Sequence, residues 1–177
     1  MAYIQVNEAD LDRAYLKSVF NYDPETGLFT WRHSGVRQRD CAGRLAGVSL
    51  KIGYISIRWR EAKRSYSFYA HRLAWFYETG RWPADIIDHK NGNRSDNRFC
   101  NLREASRRQN QQNRGMHPRN TSGYKNVGWN RALGKWRVRL RVNDKSIHIG
   151  LYDDISSAHR AACSAREKYF GEFARTA

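Results

Sequence analysis

The chain has 177 residues, 40% of them apolar, enough for one ordinary domain or two small ones with real cores. Its formal charge of +15 exceeds the about 2 to 8 net charges that solubility asks of a small domain, so a polyanion is the expected partner. No apolar run approaches the roughly 20 residues that span a bilayer, and the polar, acidic start from Met1 to Asp10 lacks the basic-then-apolar order of a signal peptide, so no membrane partner and a cytoplasmic setting are expected.

In chain order, Leu11, Tyr15, Val19 and Phe20 have the spacing of a short amphipathic helix, and Asp23-Pro24-Glu25-Thr26-Gly27 is turn chemistry leading into a hairpin. Gly53 to Trp59 alternates and Tyr66 to Ala70 is aromatic-rich, so both predict strands, with a buried helix at Leu73 to Tyr77. From Asp85 a strand, Ile86-Ile87-Asp88-His89, runs into an Asn-, Asp-, Gly- and Ser-rich loop that lasts to about Cys100. Ser106 and Gln109 form a capping-box pattern, which starts a helix carrying Asn110 and Asn113 on one face. Gln111 to Ser122 has no apolar period and reads as a linker.

Three further strands are expected at Tyr124 to Trp129, Lys135 to Val142 and Lys145 to Gly150, with Asn143-Asp144 as a tight hairpin turn. A helix with the small residues Ala158, Ala161, Ala162 and Ala165 on one face follows, and Gly171 ends it. Cys41, Cys100 and Cys163 are far apart and form no Cys-x-x-Cys pair, so no structural zinc is expected. Between Ala105 and Asn143 there are ten Lys or Arg and no acid, where an ordinary solvated face would mix signs, so this stretch is read as a nucleic-acid track.

Ala70-His71-Arg72-Leu73, Ile87-Asp88-His89-Lys90-Asn91-Gly92-Asn93, Asp96-Asn97-Arg98, Asn101-Leu102-Arg103 and Gln109-Asn110-Gln111-Gln112-Asn113 stand in the order and spacing of a known family. Over roughly Asp23 to Arg114 the chain resembles the HNH (His-Me finger) endonucleases of phage and intron homing systems. The residues also suit the chemistry, because phosphodiester hydrolysis needs a base for water and a cation on the phosphate. His89, at a strand end, suits the base, and Asp88 offers the cation a carboxylate. The resemblance further implies that Asn101 bridges the loop and orients His89, and that Asn110 supplies the second metal ligand. With Asn in the third HNH position both ligands are hard oxygens, which implies magnesium, with manganese as a substitute, and no small-molecule cofactor. Asn113 is a weaker candidate ligand; His71 is read as structural, and His33, His117, His148 and His159 as ordinary.

Trp136 to Val142 alternates, placing Trp136, Val138, Leu140 and Val142 on one face and Arg137, Arg139 and Arg141 on the other, a cationic row that suits the DNA major groove. Gly123-Tyr124-Lys125-Asn126-Val127, Gly134-Lys135-Trp136, Ile149-Gly150-Leu151-Tyr152-Asp153 and Ser157-Ala158 resemble the Apetala-two/ethylene-response-factor DNA-binding domain, with a departure at Gly128 and from Trp129 to Leu133. Lys125, Arg131, Arg137, Arg139 and Arg141 are the DNA contacts expected from this reading.

The expected protein is thus α+β: residues 1–110 hold an N-terminal α/β region and a ββα-metal (His-Me finger) nuclease module with its core at about 85–114, residues 111–122 link, and 123–177 form a three-stranded antiparallel sheet packed on one helix. The expected activity is homing-type hydrolysis of double-stranded DNA. A non-catalytic DNA-binding regulator and a basic RNA-binding protein are the rivals.

Overall fold

The computed structural model describes residues 4–32 and 41–175, which fold as two units, Met1–Ala105 and Ser106–Ala177. His33 lies outside the described residues.

In the first unit, β1 (Ile4–Gln5) precedes α1 (Arg13–Val19), whose first turn is capped by the Asp12 carboxylate accepting from the Tyr15 N–H at 2.8 Å. Leu16 and Val19 turn inward, and the chain passes straight into β2 (Phe20–Asp23), where Phe20 and Tyr22 are buried and their neighbours exposed. The predicted turn follows, with Asp23 accepting from the Glu25 N–H at 2.9 Å and the Thr26 hydroxyl at 2.7 Å, and leads into β3 (Leu28–Trp31). Gly27, at φ +73°, lies so close to the later loop that a Cβ there would sit 2.4 Å from the Arg98 nitrogen. The Phe99 N–H donates to the Pro24 carbonyl at 3.0 Å, so the early turn supports the later loop.

β4 (Leu45–Ala46) completes the sheet β2-β3-β4, and a second sheet, β1-β7-β6-β5, contains β5 (Val48–Ser49), β6 (Ile55–Glu61) and β7 (Arg64–Tyr69). The β6–β7 turn places Ala62 and Lys63 at φ 44° and 64°, the mirror-image hairpin geometry formed without glycine, which no turn signal in the sequence marks. α2 (Ala70–Thr79) is longer than predicted and buries His71, Leu73, Ala74, Phe76 and Tyr77. It ends at Gly80 in the left-handed region, and the Arg13 guanidinium donates to the freed Tyr77 and Glu78 carbonyls at 2.8 to 3.0 Å. Leu16, Ile57 and Leu73 are fully buried, each contributing about 1.5 to 3 kcal/mol. β8 (Ile86–His89) and β9 (Leu102–Ala105) pair antiparallel, from Ile86↔Ala105 to His89↔Leu102.

The second unit begins with α3 (Arg107–Gln112), capped as predicted: Ser106 Oγ accepts from the Gln109 N–H at 3.3 Å and Gln109 Oε1 accepts from the Ser106 N–H at 2.8 Å. β10 (Val127–Asn130), β11 (Lys135–Val142) and β12 (Lys145–Tyr152) form an antiparallel sheet in that order, packed on α4 (Ile155–Phe170). β10 starts three residues later than predicted because Asn120 and Ser122 hold residues 122–124 in a turn and Asn126 takes φ 70°. Asn143 and Asp144 make the expected hairpin at φ 54° and 61°. Ala158, Ala162 and Ala165 pack against Val138 and Leu140, small residues allowing the helix to approach the sheet closely.

The pairing shifts register between Val138 and Arg139, and Gly150 lies where a Cβ would meet the Tyr152 hydroxyl at 2.8 Å. An extra residue in β12 thereby turns both Ile149 and Tyr152 toward the core. Arg166 is also fully buried on α4, donating to the Lys125 carbonyl at 2.9 Å and the Cys163 sulfur at 3.2 Å. No helix among the described residues is long and apolar enough to cross a membrane.

Candidate active site

β8 ends on Asp88 and His89, both only 4% exposed. Antiparallel register sets Arg103 directly opposite Asp88, and its Nε and Nη2 donate to Asp88 Oδ2 at 2.9 and 2.7 Å. The pair is largely desolvated, so the guanidinium both balances the carboxylate's charge and fixes its orientation.

The loop after His89 is held by its own amides. Asn91 Oδ1 accepts from the Asn93 N–H at 2.8 Å, and Asn93 Oδ1 accepts from the Ser95 N–H at 3.1 Å and hydroxyl at 2.8 Å. Asn101 closes it by accepting from the Asn91 N–H at 3.0 Å and donating to the Asp96 carbonyl at 2.8 Å. Asp96 faces Arg98 at 2.6 Å, which holds its carboxyl down to about 2, so it stays ionised.

The His89 ring is held differently from the sequence expectation. Its Nε2 meets Asn97 Oδ1 at 3.2 Å, while Asn101 commits its amide to the loop backbone and to Asn91. Asn97 is 2% exposed, and its own amide nitrogen donates to the Ser95 carbonyl at 3.3 Å, which assigns its oxygen to the histidine side. In that pairing the His89 Nε2 is the donor and the Asn97 oxygen the acceptor. Burial pushes the His89 pKa below the usual imidazole value, opposed by the Asn97 hydrogen bond and the Asp88 and Asp96 carboxylates.

Tyr54 lies 6.0 Å from the ring and His71 5.1 Å, edge-on. Burial, then the charges of His89 and Arg72, push the His71 pKa down to about 3, so it is a neutral wall. Its Nδ1 is buried without a hydrogen-bond partner. Sequence reading missed Arg103, Asn97 and Tyr54 as neighbours of the pair; strand register would have found Arg103, since it faces Asp88 across β8 and β9.

Asn110 is exposed on α3 of the second unit, whereas Asn113, just beyond the last turn, is 4% exposed. Among the described residues no group of three or more His, Cys, Asp and Glu side chains is placed to hold a metal ion. In the first unit the Asp88 carboxylate is a hard oxygen donor of the kind that hard divalent cations take, while Asn110 belongs to the second unit.

Of the expected DNA contacts, Arg131, Arg139 and Arg141 are exposed, and Arg137 is half-buried beside Leu151 in the register. Lys125 is turned to structural use: its ammonium donates to the Gln112 and Arg114 carbonyls at 2.9 and 2.6 Å, tying down the end of α3.

Residues 68–112 match the HNH endonuclease family. No curated protein matches the chain. A solved structure described as "DNA binding and cleavage by the HNH homing endonuclease I-HmuI" is similar, with 22% identity and a TM-score of 0.44 over 58% of this chain. The chain spans about half, 55%, of that protein's length. The matched residues 68–112 hold the Asp88–His89 strand, its loop and the returning strand.

Proposed function

We propose that the chain is a magnesium-dependent, homing-type endonuclease acting on double-stranded DNA, with manganese as a substitute metal. The observation that carries the reading is the buried His89 ring at the end of β8, held through Nε2 by Asn97 beside the Asp88 carboxylate. His89 takes a proton from the attacking water, whose oxygen bonds to phosphorus as the bond to the leaving ester oxygen breaks. Asp88 and Asn110 are the residues that would hold the metal, which when bound neutralises charge on the phosphate. Arg103 keeps the Asp88 carboxylate in one orientation, and the Asn101-closed loop keeps the base from drifting. Arg131, Arg137, Arg139 and Arg141 supply sheet-face contacts to the duplex, in the manner of the Apetala-two/ethylene-response-factor domain that the C-terminal segment resembles.

One observation favours a second reading, a DNA-binding protein that does not cut: Asp88 already faces a buried guanidinium, which competes with a cation for its charge. Supercoiled plasmid incubated with magnesium, with and without chelator, separates the two. Relaxed or linear product that chelator abolishes supports the nuclease; uncut but retarded plasmid supports the binder.

A further inference from the structure

We propose that a basic cleft within the second unit, between α3 and the β11–β12 hairpin, is a docking site for one phosphodiester strand of duplex DNA, separate from the residues that perform cleavage. The proposal rests on the DNA reading above and adds a place where the backbone sits. The cleft has a volume of about 630 Å³ and is lined by Arg107, Arg108, Arg114, Lys125 and Arg141, with Asp144 its one acid. That volume lies within the roughly 300 to 1,000 Å³ of ligand clefts. Asp144 stands at the hairpin tip, 3.2 Å from Arg141, so even this acid is already shared with a cation.

Three features distinguish the cleft from scattered surface charge. Lys125 bonds the Gln112 and Arg114 carbonyls, so the wall carrying Arg107, Arg108 and Arg114 is tied to the start of the sheet. Burial, then the positive charges of Arg166 and Arg175, push the Lys125 pKa down to about 8, as happens where counter-charge is lacking. Arg141 belongs both to the cleft and to the exposed arginine row of β11, so a strand lying in the cleft meets a cation whose row continues at Arg139. Four side-chain amides, Gln111, Gln112, Asn126 and Asn143, also line it beside Phe170 and suit phosphate and sugar oxygens.

The full chain is titrated with a short DNA duplex in chelator at several salt concentrations, as wild type and as Arg107→Gln/Arg108→Gln/Arg114→Gln. The slope of log affinity against log salt should fall by about 2 to 3, since each phosphate contact contributes about 0.9. Arg108→Gln alone should remove about 0.9 and decides the matter if the triple variant melts early. Arg160→Gln, on the exposed side of α4, should leave the slope unchanged. A wild-type slope in the cleft variants, an equal loss in Arg160→Gln, or tighter binding of duplex RNA than of DNA would overturn the proposal. Plasmid nicking read beside the titration keeps the two readings apart: nicking with an unchanged slope sinks only the cleft, and the slope change without nicking sinks only the nuclease.

Discussion

The loop between β8 and β9 and the arginine face of β11 both serve a phosphate in this account, yet they are built on opposite plans. Asp88, His89, Asn97, Asn101 and Arg103 are buried and each is hydrogen-bonded to the loop or its flanking strands, so position is fixed before any substrate arrives. On β11 Arg139 and Arg141 stand exposed, their partners supplied by solvent and by Asp144 at the tip. Chemistry demands orientation to within fractions of an ångström, whereas affinity for a polyanion demands only charge in reach. Burial therefore follows the Asp88–His89 pair, and exposure follows the binding.

The sharpest way to break this contrast is at Arg103. Arg103→Ala leaves the Asp88 carboxylate buried beside an empty space and should cost about 3 to 5 kcal/mol of stability, read from denaturant unfolding. A loss below about 1 kcal/mol, the range of surface pairs, would show that water reaches Asp88 and that this site is no more preorganised than the sheet.

The opposite region should respond in binding and not in stability. Arg137→Gln/Arg139→Gln/Arg141→Gln should lower the salt slope by up to about 2.7 while leaving the melting midpoint near wild type. Magnesium-dependent nicking at high protein concentration should persist. An unchanged slope together with unchanged site preference would mean that the row does not face DNA.

Asn110→Ala tests the metal assignment where no buried partner is lost. The magnesium concentration for half-maximal cleavage should rise by at least about tenfold, the smaller loss seen even for outer-shell partners, with excess magnesium restoring part of the rate. Wild-type metal dependence would remove Asn110 from the ligand set.

An effect absent at neutral pH concerns His71. Its folded pKa of about 3 lies below the ordinary imidazole value, so the unfolded chain binds the proton first as pH falls. Its contribution is thus fully present above about pH 6.5 and is lost progressively toward pH 3. His71→Gln should flatten the stability difference over that window, and parallel curves for the two proteins would show that His71 is solvated.

Much of this was legible in residue order alone. Alternation gave β11 its two faces, Ser106 and Gln109 announced α3, and Asp88-His89 stood out because a strand ended in an asparagine-rich loop. What sequence could not carry was pairing. Arg103 becomes the partner of Asp88 only through strand register, Asn97 takes the ring only once the loop has folded back, and Lys125 is spent on α3 because that helix ends within its reach. Buried Arg166 shows the same limit, since its charge reads as surface until the helix is packed.

The most direct test of the central claim is single-turnover cleavage of plasmid by wild type and His89→Ala, with DNA affinity measured in the same series. The account predicts a loss of about 10²- to 10⁴-fold in rate at nearly unchanged affinity. It also predicts that the acid limb of the wild-type pH profile falls below the usual imidazole value of about 6.5, because burial favours neutral His89. Wild-type turnover by His89→Ala, or a rate loss matched by an equal loss of affinity, would contradict it.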